Sequence, residues 1–138
     1  MSLVLDTGPL LALLERDDPA HGRCVAMVEE VGEDLVVPAP VLVELDFWLR
    51  KIGHLTVWQT FVDDISKRAY RLAHADERDI VRAAELEAQY PDLALGFVDA
   101  AAIAICERLR ETKVATLDRR DFSVVRPVHC EALTLLPA

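Results

Sequence analysis

Cysteine is scarce in this sequence, and its pattern excludes two classes of small domain. The 138 residues contain three cysteines, Cys24, Cys106 and Cys130, none in a C-x-x-C arrangement. An odd number without that spacing argues against a disulfide framework and against a zinc site, so we expect buried free thiols. The four histidines form no motif such as H-E-x-x-H, and we interpret the neighbours His129 and Cys130 as a structural pair rather than a catalytic dyad.

Long apolar runs are also lacking. The apolar N-terminus has no basic lead, and Asp6 and Glu15 interrupt it well short of the roughly 20 residues that a membrane span needs. We therefore expect a cytoplasmic protein without membrane association. With 52% hydrophobic residues, the sequence has enough apolar material for the core of a single domain spanning 1–138.

Basic residues are the third shortage. Fifteen lysines and arginines stand against 24 acidic residues, which gives a formal net charge of −9. Because affinity for phosphates comes mainly from lysine and arginine, this balance counts against a nucleic-acid partner. Bound metal cations would reverse the sign of the charge locally and remove the objection.

Short apolar segments alternate with helical patterns along the chain. We predict strands at 2–6, 34–38, 70–75 and 114–117, with a possible fifth at 133–137. We predict helices at 7–15, 19–31, 40–53, 54–68, 76–90 and 96–111. Short strands separated by helices indicate an α/β domain with a central parallel sheet of four to five strands, flanked by helices on both faces.

The first acidic residue lies in the stretch VLDTGP, and the same pattern of apolar residues followed by Asp-Thr-Gly occurs at the catalytic strand of aspartic proteases. In such a protease the chain continues as β-structure, whereas here Pro9 and the run LLALLE predict a helix. Asp6 therefore ends a buried strand at a strand-to-helix turn. Ligands and metals collect at that edge of open α/β sheets.

Four acidic residues have apolar surroundings, unlike the other acids of the chain: Asp6, Glu44 in VLVELDFWL, Asp99 in FVDAAAIAI, and Asp118 after VATL. A carboxylate in an apolar setting is costly unless it is neutralised, paired or bound to a metal, and these four can meet at the carboxyl edge of the sheet. Oxygen ligands without cysteine or histidine suit Mg²⁺ or Mn²⁺. The alternatives are helix-terminal charges or caps, a turn residue at Asp118, and a polar helix position at Glu44, whose exposed rival is Asp46.

The stretches LVLDTGPLLALL, VPAPVLVELDFWL, LGFVDAAAIAIC and VATLDRRDF, in that order, resemble a PIN-domain ribonuclease, and most closely a VapC-like toxin of a bacterial toxin–antitoxin pair. The resemblance covers essentially the whole chain. It implies hydrolysis of RNA phosphodiesters with Mg²⁺ or Mn²⁺ held by four catalytic acids: Asp6, Glu44, Asp99 and Asp118. It also implies that Thr7 orients Asp6 or a water. Asp121 competes with Asp118 for the fourth position, and Thr116 is a lesser candidate for the same network.

Candidate contacts to the RNA are five basic residues: Arg16, Arg50, Lys51, Arg119 and Arg120. Each is equally well interpreted as a solvated surface charge. Helices 40–53 and 55–68 carry apolar residues on more than one face, including Trp48 and Trp58, and this predicts a homodimer interface. The alternative is that the two tryptophans pack against each other in the core. The resemblance further implies an antitoxin partner whose side chain, an arginine, enters the acid cluster.

Other functions are weaker readings of the same residues. A phosphotransferase of the haloacid-dehalogenase type would need a second aspartate two positions after Asp6, where the chain has Gly8. A catalytically silent PIN module that only binds, and a housekeeping RNA-processing nuclease, remain as alternatives. A neighbouring reading frame for a small DNA-binding protein would separate the toxin from the housekeeping enzyme.

Overall fold

Five short parallel strands form one sheet in the computed structural model, which describes residues 1–138, and seven helices cover the sheet. The strands are β1 (Ser2–Leu5), β2 (Asp34–Pro38), β3 (Arg71–Ala73), β4 (Lys113–Ala115) and β5 (Thr134–Leu136). The helices are α1 (Thr7–Leu14), α2 (His21–Val31), α3 (Ala39–Lys51), α4 (Leu55–Ser66), α5 (Glu77–Gln89), α6 (Phe97–Leu109) and α7 (Arg119–Val124). The predicted parallel α/β architecture is confirmed.

Strand β1 lies in the middle of the sheet, whose order is β3-β2-β1-β4-β5. All four of its residues are buried, because helices cover both faces. Its side chains alternate between two cores: Val4 packs with residues of α5 and α6, whereas Leu3 and Leu5 pack with residues of α1 to α4. This fixes the point where Asp6 leaves the sheet.

Helix α6 is buried along seven consecutive residues, from Ala100 to Cys106. Ion pairs join it to α5, where Arg108 Nη2 lies 3.0 Å from Asp79 Oδ2, and Arg82 Nε lies 2.8 Å from Glu107 Oε1. The predicted central helix is therefore present, and ion pairs hold its last turn against α5.

The end of β4 differs from the prediction. The strand stops at Ala115, and the chain then enters α7, a short helix that the sequence analysis did not predict. The Thr116 hydroxyl accepts from the Asp118 backbone N–H at 3.2 Å, which closes a turn, and Phe122 anchors α7 in the core. Asp118 is therefore the residue before a helix rather than the residue after a strand.

The state of the cysteines and the absence of a long apolar helix agree with what the sequence predicts. Cys24 and Cys106 are buried, Cys130 is half-buried, and all three are free thiols. Burial raises the pKa of the Cys130 thiol, and His129 Nε2 lies 2.7 Å from the Glu111 carbonyl oxygen. None of the helices combines the length and the apolar character that a membrane crossing requires.

Candidate active site

Asp6 lies directly beyond β1, where its backbone N–H donates to the Ala115 carbonyl at 2.9 Å. It precedes α1, yet its side chain makes no capping hydrogen bond. Instead the Thr116 hydroxyl donates to Asp6 Oδ2 at 2.9 Å. Burial raises the pKa of Asp6, against hydrogen bonds from Thr7 and Thr116 that lower it. The residue is therefore held at the sheet edge by β4 rather than used as a helix cap.

Glu44 lies in the second turn of α3 and faces the same edge. The Thr7 hydroxyl donates to Glu44 Oε1 at 2.6 Å, which ties the start of α1 to α3. Its neighbour Asp46 instead pairs with Arg50 at 3.1 Å, one turn along the same helix. Of the two acids that the sequence offered in this helix, Glu44 is thus the one that joins the cluster. The hydroxyl of Thr7 is thus bonded to Glu44, and only its backbone N–H interacts with the Asp6 carboxyl group.

Asp99 lies in the first turn of α6 and is half-buried, and its side chain makes no hydrogen bond or ion pair with the protein. Burial, together with repulsion from Asp6, Glu44, Asp118 and Asp121, raises its pKa to about 7. A helix N-terminus normally favours a negative charge, so desolvation and repulsion outweigh the helix here. Asp99 therefore faces other carboxylates, and no basic side chain of the protein pairs with it.

Asp118 and Asp121 both contribute to the charge around Asp99, but their surroundings differ. Asp118 is exposed, whereas Asp121 is buried in the first turn of α7. Asp121 Oδ1 has no hydrogen-bond partner, and the nearest basic atom, Arg120 Nε, is 4.0 Å away. Because an unpartnered buried carboxylate oxygen is costly, Asp121 fits a ligand position better than Asp118 does.

The chemistry of this acid cluster (Asp6, Glu44, Asp99, Asp118 and Asp121) suits a hard divalent cation, since all donors are carboxylate oxygens. A cation would neutralise the repulsion on Asp99 and supply a partner for the orphaned oxygen of Asp121. As the side chains stand, no three of the chain's acidic, histidine or cysteine groups converge closely enough to hold a metal ion. Binding therefore requires the carboxylates to rotate toward one another.

Two of the predicted RNA contacts are occupied by other groups. Arg50 pairs with Asp46, and the Lys51 ammonium lies 5.1 Å from the ring centroid of Trp48 and 5.8 Å from that of Phe47. Both basic residues are at the C-terminal end of α3, roughly 10 Å beyond Glu44 at the helical rise per residue. The structure does not bring them to the acid cluster.

Arg119 and Arg120, in contrast, begin α7 beside the cluster. Arg119 Nη1 donates to the Pro137 carbonyl at 2.5 Å, and Arg120 extends into solvent. Arg16 is exposed after α1 and makes no hydrogen bond or ion pair. Arg23 shares a cavity with Arg119, but no motif in the sequence marks it as a site residue.

Comparison with known proteins was decisive for the family. The family model described as PIN domain matches residues 3–126. The chain belongs to the PIN-domain family. It is 29% identical over 135 residues to "Ribonuclease VapC26" from Mycobacterium tuberculosis, covering 98% of this chain and 100% of that protein. PIN-domain nucleases of the VapC kind are metal-dependent.

Solved structures show the same PIN fold. VapC20 from Mycobacterium tuberculosis, described as a toxin that cleaves the sarcin-ricin loop, superposes with a TM-score of 0.74 at 18% identity, over 81% of this chain and 86% of that chain. A toxin–antitoxin complex from Klebsiella pneumoniae superposes with a TM-score of 0.67 at 17% identity, over 89% and 92% of the two chains. At this identity the likeness shows the fold alone.

The raised pKa of Asp99 predicts a stability that falls as pH rises. In the unfolded chain this carboxyl titrates near 3.8 and in the folded protein near 7, so between these values the folded state binds the extra proton and is stabilised by it. That stabilisation is lost as the pH rises through about 7, where Asp99 of the folded protein gives up its proton. With EDTA present, Asp99→Asn should therefore unfold at higher urea concentration than wild type at pH 8, and the gain should shrink toward pH 4.

The expected gain at pH 8 is on the order of 1–2 kcal/mol, a discounted value because partial exposure of Asp99 screens the repulsion. Asp46→Asn, on an acid paired with Arg50, is the matched control and should show no such pH dependence. Equal gains at pH 4 and pH 8 for Asp99→Asn would contradict the electrostatic account.

Proposed function

We propose that this chain is an endoribonuclease that uses Mg²⁺ or Mn²⁺ to hydrolyse RNA phosphodiesters, and that it is the toxin of a bacterial toxin–antitoxin pair. The similarity to a ribonuclease over the full length of both chains supports this reaction. A toxin–antitoxin complex among the structural neighbours is consistent with the biological setting.

The observation that carries the proposal is the unpaired Asp99, whose pKa is raised to about 7 by burial and by neighbouring carboxylates. A fold that only bound partners would gain stability by replacing such a group. Perturbed acids clustered at the carboxyl edge of a parallel sheet are typical of a catalytic site. The catalytically silent module is therefore the weaker interpretation.

In the proposed site Asp6, Asp99 and Asp121 hold the cation, and Glu44 is either a further ligand or the base that takes a proton from the attacking water. When bound, the cation would neutralise charge on the phosphoryl oxygens and favour deprotonation of water. Thr116 orients Asp6, and Thr7 orients Glu44, each through the hydroxyl hydrogen bonds described above. The half-buried Cys130, with its raised pKa, is not needed as a nucleophile.

Asp6→Asn and Asp99→Asn should each lower RNA cleavage by roughly 100-fold or more, because each removes a charge that the cation requires. Cleavage of a labelled RNA pool in Mg²⁺ or Mn²⁺ measures this, and EDTA should abolish the wild-type rate. Asp46→Asn, an acid on α3 that faces away from the cluster, should stay within about 2-fold of wild type. Activity that persisted in EDTA would contradict a metal-dependent reaction.

The fourth acid can be assigned by a pair of isosteric substitutions. Asp121→Asn should raise the Mg²⁺ concentration for half-maximal cleavage by about 10-fold or more, because the buried carboxylate loses its charge. Asp118→Asn, on an exposed side chain, should raise it by less than about 3-fold. A larger effect at Asp118 would reverse the assignment and restore it as the ligand.

We also propose a homodimer that uses part of the exposed surface of α3 and α4. The apolar residues of these two helices are partly buried and partly exposed. Leu49 and Phe61 lie in the core, and the partly buried Trp58 packs against it. Six apolar side chains on or beside these helices remain more than two-fifths exposed: Val43, Phe47, Trp48, Ile52, Leu55 and Val62. Trp48 packs edge-on against Phe47 and not against Trp58, so the alternative of a tryptophan pair in the core is wrong.

Light scattering at tens of micromolar should give the mass of a dimer for wild type. Trp48→Glu should shift the protein to monomer, because a charge within an apolar contact is costly. Val81→Glu on α5, also an exposed apolar residue, should leave the mass unchanged. A wild-type monomer under these conditions would refute the dimer and leave the nuclease untouched.

The proposed antitoxin would inhibit by placing an arginine among the carboxylates in place of the cation. Bidentate pairing with a guanidinium would satisfy Asp99, whose pKa is raised by neighbouring carboxylates, and Asp121 Oδ1, which has no hydrogen-bond partner.

A further inference from the structure

A groove leads away from the acid cluster between α2 and the segment that follows β5. It consists of two adjoining spaces, and Arg23, Pro137 and Ala138 line both of them. The inner space, about 270 Å³, reaches Thr116, whose hydroxyl holds Asp6. The outer space, about 390 Å³, extends along α2 to Val31. A ligand in this groove would be continuous with the reacting centre.

Positive charge is concentrated in the inner half. Arg23 makes no hydrogen bond or ion pair, and Arg119 donates only to the neutral Pro137 carbonyl, which holds its guanidinium in place. The arginines of α3, α5 and α6 (Arg50, Arg78, Arg82 and Arg108) are instead paired with carboxylates. In a chain with a net charge of −9, two uncompensated arginines beside the active site fit a phosphate group.

The outer half has a different character. Its floor is apolar, formed by Met27, Leu136 and Pro137, and Glu30 stands at its rim. A phosphate is disfavoured near that carboxylate, whereas the flat face of a base packs well on an adaptable methionine and neighbouring aliphatic groups. The distribution of charge therefore sets the orientation of a bound nucleotide. Its phosphate would lie toward Thr116 and its base toward Val31.

We infer that this groove binds the nucleotide next to the cleaved bond in a single strand of RNA. Arg23 and Arg119 contact the phosphate adjacent to the scissile one, and the base enters the apolar outer half. The inference rests on the proposed nuclease function, and it assigns Arg23 a role in substrate binding that does not involve the metal.

The chain supplies its own reporter, because it has two methionines. Met27 lines the groove, whereas Met1 is exposed at the other end of the chain from β5. In protein labelled with ¹³C at the methionine methyl groups and kept in EDTA, a single-stranded RNA of about 8 nucleotides should shift the Met27 signal and leave Met1 unmoved. Arg23→Ala should require roughly 5-fold more RNA for the same shift at 0.1 M salt, since one phosphate contact is lost.

Arg78→Ala removes the same charge from an exposed site on α5 and should behave as wild type. With Mg²⁺ present, Arg23→Ala should raise KM about 5-fold and leave kcat unchanged, and the slope of log affinity against log salt should fall by about 0.7. If wild-type protein cleaves RNA but its Met27 signal does not move, the proposed RNA-binding groove is wrong. Equal effects of Arg23→Ala and Arg78→Ala would also contradict it. An Arg23-dependent shift without any cleavage would support the groove and refute the nuclease.

Discussion

Repulsion between carboxylates held at one edge of the sheet is the constraint on which the rest of this structure depends. Five acids raise one another's energy there, and Asp99 shows the result most directly through its raised pKa. Such an arrangement persists only on a rigid support. The fully buried β1 and the buried length of α6 provide that support, and two threonine hydroxyls fix the orientation of Asp6 and Glu44. Repulsion at this edge lowers the free energy of unfolding, and packing in the two apolar cores offsets that loss.

The parts of the site that were predictable are those where a polar residue interrupts an apolar pattern. Asp6 follows a buried strand, and Asp99 stands among the alanines and isoleucines of α6, so the burial that makes each of them costly was visible in the sequence. The parallel sheet followed from the same alternation of strands and helices. Polar residues that interrupt an apolar pattern are expected to be functional residues.

The turn after β4 was not predictable in the same way. Whether Asp118 or Asp121 is buried depends on the hydrogen bond that the Asp118 backbone N–H donates to the Thr116 hydroxyl and on the docking of Phe122, and neither leaves a periodic pattern. Arg23 was missed for a related reason. Only the order of β1, β4 and β5 brings α2 beside Arg119, and strand order is a property of the whole chain. On α3 and α4, apolar residues on both faces left the boundary between core and surface undetermined.

The central position of β1 has a consequence for the time at which the protein becomes active during its synthesis. The bond from Thr116 to Asp6 joins residues 110 positions apart, and β1 lacks one of its neighbours until β4 has been made. At roughly 5–20 residues per second, Asp6 would wait about 5–20 seconds on the ribosome before its partner appears. A nascent chain would therefore carry its first acid without an assembled acid cluster until nearly the whole domain had emerged.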